Sequence, residues 1–323
     1  MSHITNMKLL ISRCKLLVVL LGMVFVLALA SDTFLTVENF ENILQQISIN
    51  VCLAIGMTLV ILTGGIDLSV GSVLAFSGVV MAGFIKNGIE IPSANILLQF
   101  TFHGAVIAGL LTGLALGAFN GLMITRFKIP PFVATLGMLS IARGCTKLWT
   151  RGEPITNLGR GFEVIGSGKF LGIPLIIWIP LFVIIVFAIV SRKSRFGRHL
   201  YAVGGNEQAA ILSGLRVNRI KMGAYVLCGL LSAVAALILT ARLNSATVVA
   251  GETYELEAIA AVVIGGTSLS GGRGSIIGTV FGCLIIGVLA NGLVLLGVRE
   301  ELQLVVKGGV ILLAVAIDKL QSR

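Results

Sequence analysis

The 323-residue sequence predicts an all-α polytopic membrane protein with about ten membrane segments, and three observations carry that expectation. Hydrophobic residues make up 56% of the chain and charged residues 12%, whereas a soluble domain has roughly 45–50% and 25%. Apolar stretches recur along the whole length, most of them near the ~20 residues that span a ~30 Å hydrocarbon layer. The 40 glycines fit the same solvent, because small residues let helix backbones approach where lipid supplies no hydrophobic drive for association.

The stretches run from Leu9 to Ala30, Ile47 to Leu62, Val70 to Ile85, Phe102 to Ile124, Phe132 to Trp149, Leu175 to Val190, Met222 to Leu243, Ala258 to Ile264, Ile276 to Val298 and Leu302 to Ile317. The first follows Lys8, Arg13 and Lys15 and ends on Ala28-Leu29-Ala30, which imitates a signal peptide with a cleavage site. With so many spans following, it is expected to stay as the first helix. The eighth stretch is short and runs into Gly265, Gly266 and the glycines of 271–274. It is therefore the one expected to be broken or re-entrant, which is tolerated where protein or water covers the backbone.

Threading ten crossings places Lys8, Arg13, Lys15, Arg126, Lys128, the cluster from Arg192 to Lys221, Arg273, Lys319 and Arg323 on one side. That side holds about twice the Lys and Arg of the other, so it is expected to be cytoplasmic, with both termini there. The net charge of +10 is thereby explained as orientation, and no nucleic-acid motif accompanies it. No hydrophilic stretch is long enough for a second domain. The whole of 1–323 reads as one membrane domain, with 191–221 as its longest inner polar segment. Two weak echoes, Gly64–Ser72 with Gly265–Ser275 and the surroundings of Asn120 with those of Asn291, do not define one symmetry.

Several chemistries are excluded. The five cysteines include no CxxC pair, and no HExxH or intramembrane serine–histidine pairing is present. His3 and His199 fall in loops, and His103 at a span edge. The glycines of 265–274 lack the Lys-Ser/Thr of a phosphate loop, so ATP cannot be held in that way. Every Asp and Glu maps to a loop or a span end, which disfavours ion coupling through buried carboxylates. Asp67 comes nearest to an exception. It is read first as a helix N-cap ahead of Val70, with a transport role as the alternative. Lys307 is expected to snorkel to the interface, and Arg143 either lines a polar pathway or pairs structurally. Asn50, Thr58, Asn120 and Thr135 are candidate pathway residues, although each could equally bond a neighbouring helix.

If transport is ATP-driven, the motor is another polypeptide, and Ser191 to Lys221 is the candidate for docking it. The seven Lys and Arg there would also suit a stop-transfer loop. A merely basic loop, however, has no need of the Gly204-Gly205-Asn206 breaker, the helix-prone run Glu207 to Leu212, or its apolar Ile211-Leu212 face closed by Gly214.

The segments Gly56–Ser72, Phe119–Gly137, Ser194–Lys221 and Thr253–Thr279, in this order and spacing, resemble the ribose-type permeases of binding-protein-dependent ABC importers across nearly the whole chain. The resemblance implies an inner-membrane subunit that works with a second permease subunit, an ATPase holding ATP and Mg²⁺, and a periplasmic binding protein that delivers a small sugar such as ribose. No cofactor is expected on this chain. Segment 191–221 is then the coupling segment, with Arg195, Gly197, Arg198, Glu207, Ala209, Ala210 and Gly214 at the ATPase contact. Gln208 stands where a stricter pattern has Glu, and Glu257 where the family usually has Asp. The competing readings are an ion-coupled secondary sugar carrier and, more remotely, an intramembrane enzyme.

Overall fold

The computed structural model describes residues 2–91 and 96–321, and their side chains over 16–88 and 99–316. Its helices are α1 (Ser2–Ala30), α2 (Val37–Leu62), α3 (Val70–Lys86), α4 (Phe102–Arg126), α5 (Pro131–Thr150), α6 (Arg160–Ser167), α7 (Leu175–Lys193), α8 (Arg195–Gly205), α9 (Glu207–Leu212), α10 (Val217–Leu243), α11 (Tyr254–Ile264), α12 (Ile276–Leu295) and α13 (Glu300–Gln321). The strands β1 (Ile89–Ile91), β2 (Ile96–Leu98), β3 (Ile155–Thr156), β4 (Lys169–Phe170), β5 (Ile173–Pro174) and β6 (Ser245–Ala246) form three small antiparallel pairs, β1–β2, β3–β6 and β4–β5. The fold is all-α with short two-stranded trim.

Each predicted apolar stretch falls in a helix of its own, and α6, α8 and α9 are the three helices outside those stretches. Five helices, α2, α4, α7, α10 and α12, are long and apolar enough to cross a membrane by length and composition. The described part of α1 and all of α3 are apolar but shorter. The charges at Lys8, Arg13, Lys15, Lys319 and Arg323 lie outside the described side chains, as do His3 and Cys14.

The bundle is built around α2, which is buried on every side from Ile47 to Leu62, as befits a helix apolar all round. It packs on α7, α10, α11 and α12. The helix also starts earlier than its apolar run. Thr36 Oγ1 accepts from the Asn39 N–H, a side-chain N-cap, and Asn39 exchanges amide hydrogen bonds of 3.1 and 2.7 Å with Asn291 of α12. Against α2 stands the tight α4–α10 pair, where Gly113 and Gly117 lie directly on Gly229. The small-residue expectation is realised there, since any Cβ would strike facing backbone.

Two loops do not stay at the bundle end. After α2 the chain turns at Gly64 and rises, so that Ser69 meets Asn120 of α4, about 9 Å above the end of that helix at 1.5 Å per residue. From the far end, the chain after α10 descends along α3 until Gly251 touches Gly71. Both α3 and the 11-residue α11 therefore begin inside the bundle. The eighth segment is thus an irregular entry followed by a short helix. Its carbonyls at Val248 and Ala250 are capped by the Arg143 guanidinium, which is how protein covers irregular backbone at depth.

The echoed glycine segments are physical neighbours. In α2 the Gly64 and Gly65 N–H groups return to Ile61 and Val60, and in α11 those of Gly266 and Thr267 return to Val263 and Val262. Both helices thus close with the same Schellman turn, and Gly271 of the second loop rests on Gly64 of the first.

Candidate functional site

At one end of the bundle α8 and α9 form an ordered elbow. Ser194 caps α8 through its hydroxyl, which accepts from the Gly197 N–H at 2.9 Å. Gly197 is required there, because a Cβ would run into the carbonyls of Val190 and Ser191. Arg198 donates to the Lys193 carbonyl at 3.1 Å, and Arg195 stands beside it in the first turn. After Gly204 and Gly205 the chain breaks at Asn206, whose Oδ1 accepts from the Ala209 N–H at 2.9 Å and caps α9. Gly214, at φ +79°, ends α9 in a Schellman turn, its N–H on Ile211 and that of Leu215 on Ala210. A side chain at that φ would be strained.

Only Ala210 of α9 is buried, whereas Ile211 and Leu212 are 49% and 88% exposed. Beside them lies an open groove of about 420 Å³ lined by Phe196, His199, Leu215, Arg216, Arg219 and Ile220, an apolar floor with a basic rim. Glu207 is not free: Lys221 of α10 holds it at 2.8 Å, tying α9 to a long helix. Ala209 and Gln208 are exposed.

Tyr201 turns from α8 toward the bundle and donates to the Gly274 carbonyl at 3.1 Å. Burial raises its phenol above the ordinary value, with Arg192 opposing, so it remains a donor at neutral pH.

The second group lies at depth. Asn50, midway along α2, donates to Glu257 Oε2 at 2.8 Å, and Lys307 donates to Glu257 Oε1 at 2.6 Å. A charged pair therefore sits at the level of the middle of a crossing helix. One turn above it, where α11 begins, Glu252 and Thr253 are exposed and Glu255 half-buried, with Arg143 within electrostatic reach of both carboxylates. Thr58 is buried and shares a 2.8 Å hydrogen bond with Thr279 of α12. Asp67 Oδ1 accepts from the Ser69 N–H at 2.9 Å and hydroxyl at 2.6 Å, and Asn120 donates to that hydroxyl at 2.9 Å. Thr135 donates to the Pro131 carbonyl at 2.9 Å.

The sequence model of a family described as "Branched-chain amino acid transport system / permease component" matches residues 39–315. The chain belongs to this permease family. The ribose import permease protein of Bacillus subtilis is 50% identical over 302 residues, covering 93% of this chain and 90% of that one. The ribose import permease protein of Escherichia coli is 47% identical over 308 residues, 94% of this chain and 92% of its own length. The D-allose transport system permease protein of Escherichia coli is 38% identical, with 92% and 88% covered. No solved structure matches the permease.

Three sequence expectations need correction. Asp67 is not the N-cap of α3: Ser69 holds that position, and the carboxylate two residues earlier is consumed by the N–H and hydroxyl of Ser69, forming an Asx-type turn. Lys307 does not snorkel, because Glu257 offers it a partner at depth. Glu257 itself contradicts the placing of every carboxylate in a loop or at a span end. It stands just ahead of the apolar run Ala258–Ile264, and α11 begins so far inside the permease that this edge lies at mid-depth. Pairing an acid at the mouth of one short apolar run with a lysine inside another was the signal available. A buried carboxylate is therefore present, and membership of the permease family, not a lack of such groups, is what weighs against ion coupling.

Proposed function

We propose that this permease is the membrane-spanning subunit of an ATP-driven importer for ribose or a similar monosaccharide, and one observation carries the reading. The chain has no phosphate loop, yet it builds a doubly capped short helix, α9, that presents Ile211 and Leu212 outward next to a basic-rimmed groove. Apolar side chains held out on an ordered element fit a protein partner, and the Arg216 and Arg219 rim fits one with acidic groups. That partner is the ATPase, which holds ATP and Mg²⁺, and Arg195, Gly197, Arg198, Glu207, Ala209, Ala210 and Gly214 shape the contact. The names of the relatives support a sugar as cargo. A periplasmic binding protein delivers it, and a second permease subunit completes the route. The chain enters the bacterial inner membrane with ten segments and both termini in the cytoplasm, the orientation that puts Arg195, Arg198, Arg216 and Arg219 on the ATPase side.

The route follows the face where Arg143, Glu252, Thr253 and Glu255 lie. Exposed carboxylates at this depth cannot face hydrocarbon, so they face water, and such groups suit hydroxyl-rich neutral sugars. Asn50, Thr58, Asp67, Asn120 and Thr135 brace the wall from behind, since each is buried and bonded within the chain. An ion-coupled carrier would have no use for the α9 tip.

Changing Ile211 and Leu212 together to Asp is expected to lower ATP-driven uptake more than tenfold, because docking would then bury unpaired carboxylates. Arg195→Glu with Arg198→Glu is expected to uncouple hydrolysis from uptake while the chain still inserts. Membrane vesicles carrying permease, ATPase and binding protein provide the assay, and co-purification of ATPase with normal uptake in the Asp variant would refute the docking assignment.

A further inference from the structure

We propose that a side-chain-free joint between α8 and two glycine loops transmits the motion of the coupling elbow to the helices behind the transport route. This rests on reading α8–α9 as the coupling segment. Gly204 lies so close to the end of α2 that a Cβ would collide with the Leu62 carbonyl. The Gly272 N–H donates to that same carbonyl at 3.1 Å. A Cβ on Gly272 would stand 2.6 Å from the Gly205 nitrogen, and one on Gly271 would stand 2.9 Å from the Gly64 nitrogen and 3.0 Å from the Gly204 oxygen. Tyr201, one turn earlier in α8, fastens the contact through Gly274.

Three chain segments therefore meet backbone to backbone: the end of α8, the end of α2, and the loop from α11 to α12. Where side chains intervene, a displacement can be absorbed by rotamer changes. Here it cannot, because backbone stands directly on backbone with no rotamer in between. The receiving elements lead to the route. The α2 helix carries Thr58, bonded to Thr279 of α12, and Asn50, bonded to Glu257 of α11, and α11 begins at the face where Glu252 and Thr253 are exposed. Gly265 at the end of α11 also rests directly on Gly278 of α12. The joint thus has one neighbour on the partner side and three helices on the transport side. Tyr201, Gly204, Gly271 and Gly272 act as positioning residues for the transport step, since they act through α2 and α11.

The test uses the complete importer in proteoliposomes, with sugar uptake and ATP hydrolysis measured in the same preparation. Tyr201→Phe keeps the ring and removes the donor. It is expected to lower sugar moved per ATP about fivefold, the population shift that one hydrogen bond of ordinary net strength sets, with hydrolysis near the wild-type rate. Gly204→Ala is expected to lower it at least tenfold. A purely structural role would reduce assembly, hydrolysis and uptake together and leave their ratio unchanged, and an unchanged ratio in Tyr201→Phe overturns the proposal even if Gly204→Ala fails to accumulate. Failure of the coupling assignment itself reads differently: the Asp variant of Ile211 and Leu212 would then take up sugar normally.

Discussion

Lys307→Ala is expected to cost the permease roughly 3–5 kcal/mol of stability, because it leaves the Glu257 carboxylate charged and half-satisfied inside the bundle. Glu257 sits where α2, α11 and α13 converge, with one oxygen on Lys307 and the other on Asn50. Its residue exposure is 7%, so water cannot replace the lost ammonium. Removing both charges is another matter. Lys307→Met with Glu257→Leu is expected to recover most of the loss, since well-packed apolar replacements of a buried pair are often neutral. Thermal unfolding of the purified chain in detergent measures this, and a Lys307→Ala midpoint equal to that of wild type would remove the pair from the account of the fold. The Glu257 side chain reaches both partners from the first turn of α11.

Uptake is expected to fall at least about tenfold when Glu252 and Glu255 are both changed to Leu, with ATPase binding unchanged. Hydrogen bonds to charged groups contribute roughly 1.5–3 kcal/mol each, and a sugar passing a wall stripped of them loses its replacement for water. The same change leaves the Asn50–Glu257–Lys307 contacts behind that face untouched, so insertion and folding are not expected to suffer. Initial rates over a range of sugar-loaded binding protein separate a lower maximal rate from weaker docking. The expected pattern is a lower maximal rate, and normal uptake by this variant would place the route on another face.

The helices were legible in the sequence because lipid demands long apolar runs, and each of the ten runs found a helix. The elbow was half legible: Asn206, the run Glu207–Leu212 and Gly214 state α9 by their capping chemistry, whereas α8 is amphipathic and basic and reads as a loop. Helix α6 was missed for a similar reason, since it is short, glycine-flanked and defined mainly by Phe162 packing on Phe102, with ring centroids 5.2 Å apart. Depth was the quantity the linear pattern hid. Asp67 and Glu257 look like loop residues until Ser69 is found beside Asn120 and Glu257 beside Asn50, because the loops rise and descend into the bundle. Hydropathy reports how apolar a stretch is, and it is silent about where a short helix starts.

Reconstitution with and without the motor separates an ATP-driven importer from a gradient-driven carrier. The permease assembled with its ATPase and binding protein in proteoliposomes is predicted to accumulate ribose or a similar monosaccharide only when ATP is supplied, and the purified chain alone is predicted to accumulate none under a proton or sodium gradient. Gradient-driven sugar accumulation by the chain alone, without ATPase, would contradict the account.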